Sequence, residues 1–405
     1  MNILQILKSD DPRFKGHLWF FLGAYFLVLF NYPLVRAAST TMFFEDFGAK
    51  STPLAWLWSV VFLVASVFFC NHLQAKHSVH KVFFWASSFT TALFGLSVLG
   101  FISGIKQLTF LSFIWKEVYI VIQIHLLLAY ANTYFRKDEF KMIVGVVGAA
   151  GSLGGVLGGL LTSYLSHKWG TVFVAWFSLI FIFSPAVLFF YTPDLAAKNN
   201  EKPVSPMKSL KGKDIKEYVF IIAVIVMLSQ FIINIADFKF NLAFEAAIPD
   251  SASRTGYLGW IYTWTNLLTF ILQFLCMPLL LPRISEKTLH LFIPVSYLIL
   301  TSGLILSGGV MLLPLAGFYI YLKASDYSLF SGGKELLYQP LSPDQKYGAK
   351  YLTDMLVYRA SKALIAAVLI YLQSSFILNM MMISFLLVWL ILVIKLFGIH
   401  RKLFS

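Results

Sequence analysis

The stretch Tyr321–Lys362 reads YLKASDYSLFSGGKELLYQPLSPDQKYGAKYLTDMLVYRASK. Just before it, Met311 to Leu322 is apolar, and that run passes directly into Lys323 and Asp326. A short polar connection follows with Lys334, Glu335, Asp344, Lys346 and Lys350. The next apolar segment then carries Asp354, Arg359 and Lys362 inside its first turns. An ionised group at membrane depth costs at least ~2.5–3.5 kcal/mol, so such residues face a water-filled cavity or a partner. The five charges on these two consecutive segments point to a polar pathway between helices. The alternative is that they sit near the membrane ends and snorkel to the interface. Lys362 lies deepest and fits that alternative least.

The whole chain supports a membrane setting. It has 405 residues, of which 59% are hydrophobic and 13% charged, and a mean hydropathy of +0.76. A soluble chain is nearer a quarter charged. The apolar residues fall in blocks of about twenty, enough to cross a hydrocarbon core of ~30 Å. The alternation over ~10 residues that marks a β-barrel strand is absent. The expected fold is therefore all-α, a polytopic membrane protein of about twelve helices. Cys70 and Cys276 lie in or near apolar segments and imply neither a disulfide framework nor a metal site. The polar start MNILQILKSDDPRFKGH is too charged for a signal peptide, so the first span is expected to stay in the mature protein.

Twelve spans are read, the first near 18–38 and the last near 375–397. Lys and Arg alternate between loops. One side holds Lys8, Arg13, Lys15, Lys76, Lys81, Arg136, Lys137 and Lys141, the central-loop lysines, and later Arg283, Lys287, Arg401 and Lys402. The other side has little beyond Lys50, Lys106, Lys168 and Arg254. The positive-inside rule then puts both termini and the central loop in the cytoplasm. The net charge of +13 is read the same way, as topogenic, and calls for no nucleic acid. The longest connection, Thr192 to Lys216, divides the chain into an N-terminal six-helix half (1–192), a cytoplasmic loop (193–216) and a C-terminal six-helix half (217–405). That arrangement is major-facilitator-like, and in such architectures the site lies near the midplane between halves.

Several spans carry residues that lipid alone would not explain. Span five reads VGVVGAAGSLGGVLGG, with Gly151, Gly155 and Gly159 four apart and Gly154 and Gly158 likewise. Such rows let two helix backbones approach closely. A phosphate loop would need GK[ST] after the glycines, which is missing. In span one, Tyr32, Arg36 and Thr40 share a face, and an arginine's planar fork suits phosphate or carboxylate. Span four holds Lys116 and Glu117, which point in different directions on a helix and so call for different partners, and His125. A lone membrane histidine is read as bonded to a neighbour. Span seven places Asn234, Asp237 and Asn241 on one stripe, with Lys239 nearly opposite. The stripe reads as lining a wet cavity, or Asp237 as neutralising a cation. In span eleven, Arg359 and Lys362 are i, i+3 neighbours, so an anion is expected between them: Asp354, another acid, or the solute.

The segment DYSLFSGGKELLYQPLSPDQKYGAK, followed by Asp354 and YRASK, resembles the signature of the ATP/ADP antiporters of plastids and intracellular bacteria. Tyr327, Ser328, Leu329, Phe330, Lys334, Glu335, Tyr338, Pro340 and Leu341 match that signature, and Lys350, Asp354 and Lys362 continue it. FNYPLVR resembles the family's span-one FNY-x-x-LR, Lys116-Glu117 falls at its span-four acid, and INIAD at its INL-x-E. The chain departs where the family continues LR-D-T-K, since Ala37, Ala38 and Ser39 follow Arg36, and Gly332 replaces a proline. The resemblance implies a secondary transporter of nucleotides or related phosphorylated anions, by ATP/ADP-type exchange or proton-coupled uptake.

Arg36, Lys323, Arg359 and Lys362 are expected to bind the anion. Glu117, Asp237, Asp326 and Asp354 are expected to hold those cations or couple transport. Tyr327, Lys334, Glu335 and Lys350 are expected as signature positions. The protein is expected in a bacterial inner membrane among lipid, as a monomer, with no cofactor, metal or catalytic group. The rival is a non-transporting membrane partner or sensor built on the same fold, motivated by the missing span-one acid and lysine.

Overall fold

The computed structural model describes residues 12–189 and 212–404. Among them every regular element is helical. With no water in the bilayer core, a helix satisfies each backbone N–H and C=O within itself, which is why apolar runs of this length fold this way. The helices are α1 (Pro12–Phe47), α2 (Thr52–Gln74), α3 (Val79–Ile102), α4 (Lys106–Tyr134), α5 (Lys137–Phe189) and α6 (Lys213–Ala247). They continue with α7 (Ser251–Leu280), α8 (Glu286–Leu306), α9 (Leu312–Ser325), α10 (Ser331–Tyr338), α11 (Pro343–Lys350), α12 (Tyr358–Tyr371) and α13 (Ser375–Phe404).

Nine of the described helices are long and apolar enough to cross a membrane. One of them, α5, is two arms that meet at Gly170, whose φ of 81° only glycine adopts without strain. Two further rods, 312–338 and 343–371, are helical throughout but interrupted by π turns at Asp326–Phe330 and Tyr351–Val357. With the second arm of α5 and these two rods, the helical crossings number twelve, as the hydropathy blocks predict. The loop calls at Lys8, Lys198, Lys202, Lys208 and Lys211 lie outside the described residues.

The chain divides into two compact units. The first comprises Met1–Gly48, Val61–Asn200 and Ile248–Leu267, and the second Ala49–Val60, Glu201–Ala247 and Leu268–Ser405. In the first, α1 packs along α5, and α3 and α4 close around them. Phe21, Phe83, Val118, Leu126, Tyr130 and Ile182 form the centre of its core. The glycine rows of α5 serve two neighbours at once. A methyl group on Gly151 would lie 2.5 Å from Leu29 of α1, and on Gly154 2.5 Å from the Phe26 carbonyl. On Gly159 it would come within 2.7 Å of the Gly259 carbonyl of α7, and Gly155 abuts Asn266. In the second unit α6 is the central helix, flanked by α9, α12 and α13. It is apolar and buried almost all round, as a core helix should be. Its polar residues therefore sit inside protein and need partners there.

Candidate functional site: charged clusters inside the helical units

In the second unit the charges are organised by the two π turns. The first, Asp326–Phe330, is the DYSLF of the signature. Single π turns inside α-helices concentrate at functional sites. Asp326 is only 6% exposed, and its Oδ1 accepts from Gln230 Nε2 of α6 at 3.3 Å. Half a turn earlier, Lys323 Nζ stands 3.9 Å from Asp237 Oδ2 and 5.8 Å from the centre of the Tyr319 ring. Asp237 also accepts from Asn241 Nδ2 at 3.1 Å. An ammonium and a carboxylate 3.9 Å apart are attracted but not locked. The three polar residues of the α6 stripe are buried, and Asn234 turns back to the Gln230 carbonyl at 2.7 Å.

The second π turn, Tyr351–Val357, carries Asp354. Its Oδ1 accepts from Lys334 Nζ at 2.5 Å and from Thr353 Oγ1 at 3.1 Å. Lys350 pairs with Glu335 at 2.6 Å, and the Tyr338 hydroxyl meets Thr353 Oγ1 at 2.5 Å. These contacts clamp the bend between α10 and α11. Pro343 follows a capping box at that bend, in which Ser342 and Gln345 exchange hydrogen bonds. The Lys350–Glu335 pair is exposed and contributes little, roughly 0–1 kcal/mol. Lys334–Asp354 is more enclosed and fixes the geometry. Four of the signature positions thus satisfy one another. Tyr327 stands exposed.

That pairing corrects one expectation. Asp354 does not sit between Arg359 and Lys362, because Lys334 holds its carboxylate. Lys362 instead places its ammonium 5.4 Å from the centre of the Trp56 ring. The half-buried Arg359 makes no hydrogen bond or ion pair with any described residue.

In the first unit, the Arg36 guanidinium lies 4.8 Å from the Tyr262 ring centre and 5.6 Å from that of Tyr32. Stacking on aromatic faces keeps the planar fork oriented without neutralising it. Lys116 and Glu117 also differ from expectation, since they pair with each other at 3.0 Å. Their α-carbons diverge by about 100° around the helix, but the lysine's four-carbon stem curls over the Phe113 ring, 3.7 Å from its centre, and returns. His125 is bonded to Asn71 Oδ1 at 3.0 Å, a neighbour as expected.

Sequence reading missed Gln230, Tyr262, Trp56 and Asn379, the last a hydrogen-bond acceptor for Lys239. An amide within an apolar span, as in VMLSQFIIN and FILNMMM, was the available signal for two of them.

Twelve helical crossings with charged clusters folded inside each unit define a secondary solute transporter. Residues 21–333 match the family model of the Major Facilitator Superfamily, and the chain belongs to that superfamily. It is 21% identical to ADP,ATP carrier protein 1 of Chlamydia muridarum (strain MoPn / Nigg) over 84% of this chain and 78% of that protein. The same figures hold for ADP,ATP carrier protein 1 of Chlamydia trachomatis serovar D. Among solved structures, the nucleoside transporter NupG superposes with a TM-score of 0.67 at 14% identity, over 95% of this chain and 99% of that one. A bacterial homologue of the iron transporter ferroportin gives 0.68 at 12% identity, over 98% and 99%. These structural likenesses describe the fold.

Proposed function

We propose that the protein carries nucleotides or related phosphorylated anions across a bacterial inner membrane by alternating access of its two six-helix halves. Both termini and the central loop face the cytoplasm in this reading. The similarity to ADP,ATP carrier proteins over most of the chain supports the substrate class, and so does the signature around Tyr327, Lys334, Glu335 and Lys350.

The observation that carries the reading is the Lys323–Asp237 pair at 3.9 Å, beside the buried Asp326. A lysine held loosely by acids can exchange them for a phosphate oxygen without leaving its place. Arg36, Lys323, Arg359 and Lys362 then bind the anion. Asp237 and Asp326 hold the Lys323 charge when the anion is gone, and Glu117 and Asp354 hold Lys116 and Lys334. A cation left uncompensated inside the membrane is costly, so each departing anion is best replaced by another. This favours exchange as the mode of transport.

The test is uptake of labelled ATP, ADP and NAD into proteoliposomes that are empty or preloaded with unlabelled nucleotide. Preloading should accelerate uptake of at least one of them. Equal rates in empty and preloaded vesicles would refute exchange. No uptake, together with no thermal stabilisation by any nucleotide, would favour the non-transporting rival.

A further inference from the structure

A second charged site in the second unit belongs to none of these clusters. Lys239, on the face of α6 away from Asp237, is 4% exposed. Its ammonium donates to Asn379 Oδ1 of α13, and no carboxylate of a described residue pairs with it. An ammonium has three donors, so one neutral acceptor leaves most of its bonding capacity and all of its charge unmet. Burying such a charge costs several kcal/mol unless an anion joins it.

Beside Lys239 lies a cavity of about 440 Å³, within the range of small-molecule sites. Its walls are chiefly apolar: Leu242, Ala243, Val310, Leu312 and Leu378. Gly309, with φ +71°, lets the chain between α8 and α9 pass close by. A methyl group there would lie 3.2 Å from Asn379 and 3.9 Å from Lys239 Nζ. Around this end of the unit Leu306, Val310, Leu313 and Phe376 are all strongly exposed. On a membrane-spanning unit such side chains meet acyl chains, so the way to the cavity is an apolar one.

A buried cation at the head of an apolar chamber fits one chemistry. We infer that the Lys239–Asn379 cavity binds the anionic head of an acyl-chain amphiphile, a carboxylate or a phosphate, with its chain along Leu242, Val310 and Leu378. The inference rests on the membrane setting and does not depend on the transported solute.

The test uses the full-length protein, delipidated in a neutral maltoside detergent. Probes are palmitate, phosphatidylglycerol, phosphatidylcholine and inorganic phosphate. Binding is followed by native mass spectrometry and unfolding temperature. Palmitate or phosphatidylglycerol should bind at one site and raise the unfolding temperature, and the stronger of the two names the source. Phosphatidylcholine and inorganic phosphate should do neither. Lys239→Met should weaken the anionic probe at least tenfold. Ala243→Phe keeps the cation but fills the chamber, and should do the same. If Lys239→Met does not fold, Ala243→Phe decides the matter. Unchanged binding in the folded variants, or equal stabilisation by phosphatidylcholine, would overturn the proposal.

Discussion

Lys362 separates two roles that its position allows. It lies near the Trp56 ring in the second unit and continues the signature. If it binds the anion through charge, Lys362→Ala should lose ~1.5–3 kcal/mol of binding, about ten- to a hundredfold in affinity. Lys362→Arg keeps the charge and should retain part of the affinity. Ligand affinity of both variants, checked against their stability in detergent, gives the answer. Wild-type affinity in a folded Lys362→Ala would make the lysine a structural counter-ion. A second residue-scale expectation concerns Gln230. Gln230→Leu removes a donor from the buried Asp326 carboxylate and should destabilise by ~1–3 kcal/mol. Adding Asp326→Asn should recover part of that loss, since the two side chains share one contact. Additive losses in thermal unfolding would show that Asp326 leans on another group. The charged positions were legible because each breaks an apolar run. Their partners were less so: Lys116 reached Glu117 through a flexible stem that helical projection does not describe.

Among the elements, α5 offers the sharpest test of packing. A methyl group on Gly158 would collide with the Phe30 carbonyl of α1, whereas one on Gly145 meets nothing within 4 Å. Gly158→Ala should therefore cost ~1–3 kcal/mol through overpacking. Gly145→Ala should be neutral, or should gain up to about 1 kcal/mol from helix propensity. Unfolding in detergent compares the two, and equal effects would remove the close-approach account of the row. The glycine rows were readable from their spacing, although not the fact that they serve two different helices. The π turns were unreadable. Nothing in the composition of DYSLF or YLTDMLV marks a wider turn, since it depends on how neighbouring helices pack. The start of α11 was open to reading, because Ser342, Pro343 and Gln345 spell a capped first turn.

For the whole molecule, the crossings could be counted from hydropathy because lipid leaves the backbone so few choices. The grouping of helices could not. Ala49–Val60 belongs with the second unit and Ile248–Leu267 with the first. In the second unit the Ala49 amide donates to Glu245 Oε2 at 2.9 Å. In the first, Thr171 and Thr41 both bond to Thr255. Local periodicity carries no information about which bundle a segment will join. Orientation remains open to a direct experiment. Cysteines placed at Ser205 and Ser251 in a cysteine-free background should label from opposite membrane faces. Labelling from the same face would refute the twelve-span topology with a cytoplasmic central loop.

The two π turns also bear on how this chain tolerates deletion. Each holds one residue more than an α-helical turn would accommodate. Loss of a single residue from 326–330 would let the rod close into regular α-helix. Everything beyond it would then be rephased by about 100°, and Lys334 would swing off Asp354. Hydropathy, composition and helix count would barely change. A lesion of this kind would be invisible to any profile of the sequence, yet it would turn the charged face of the rod toward lipid.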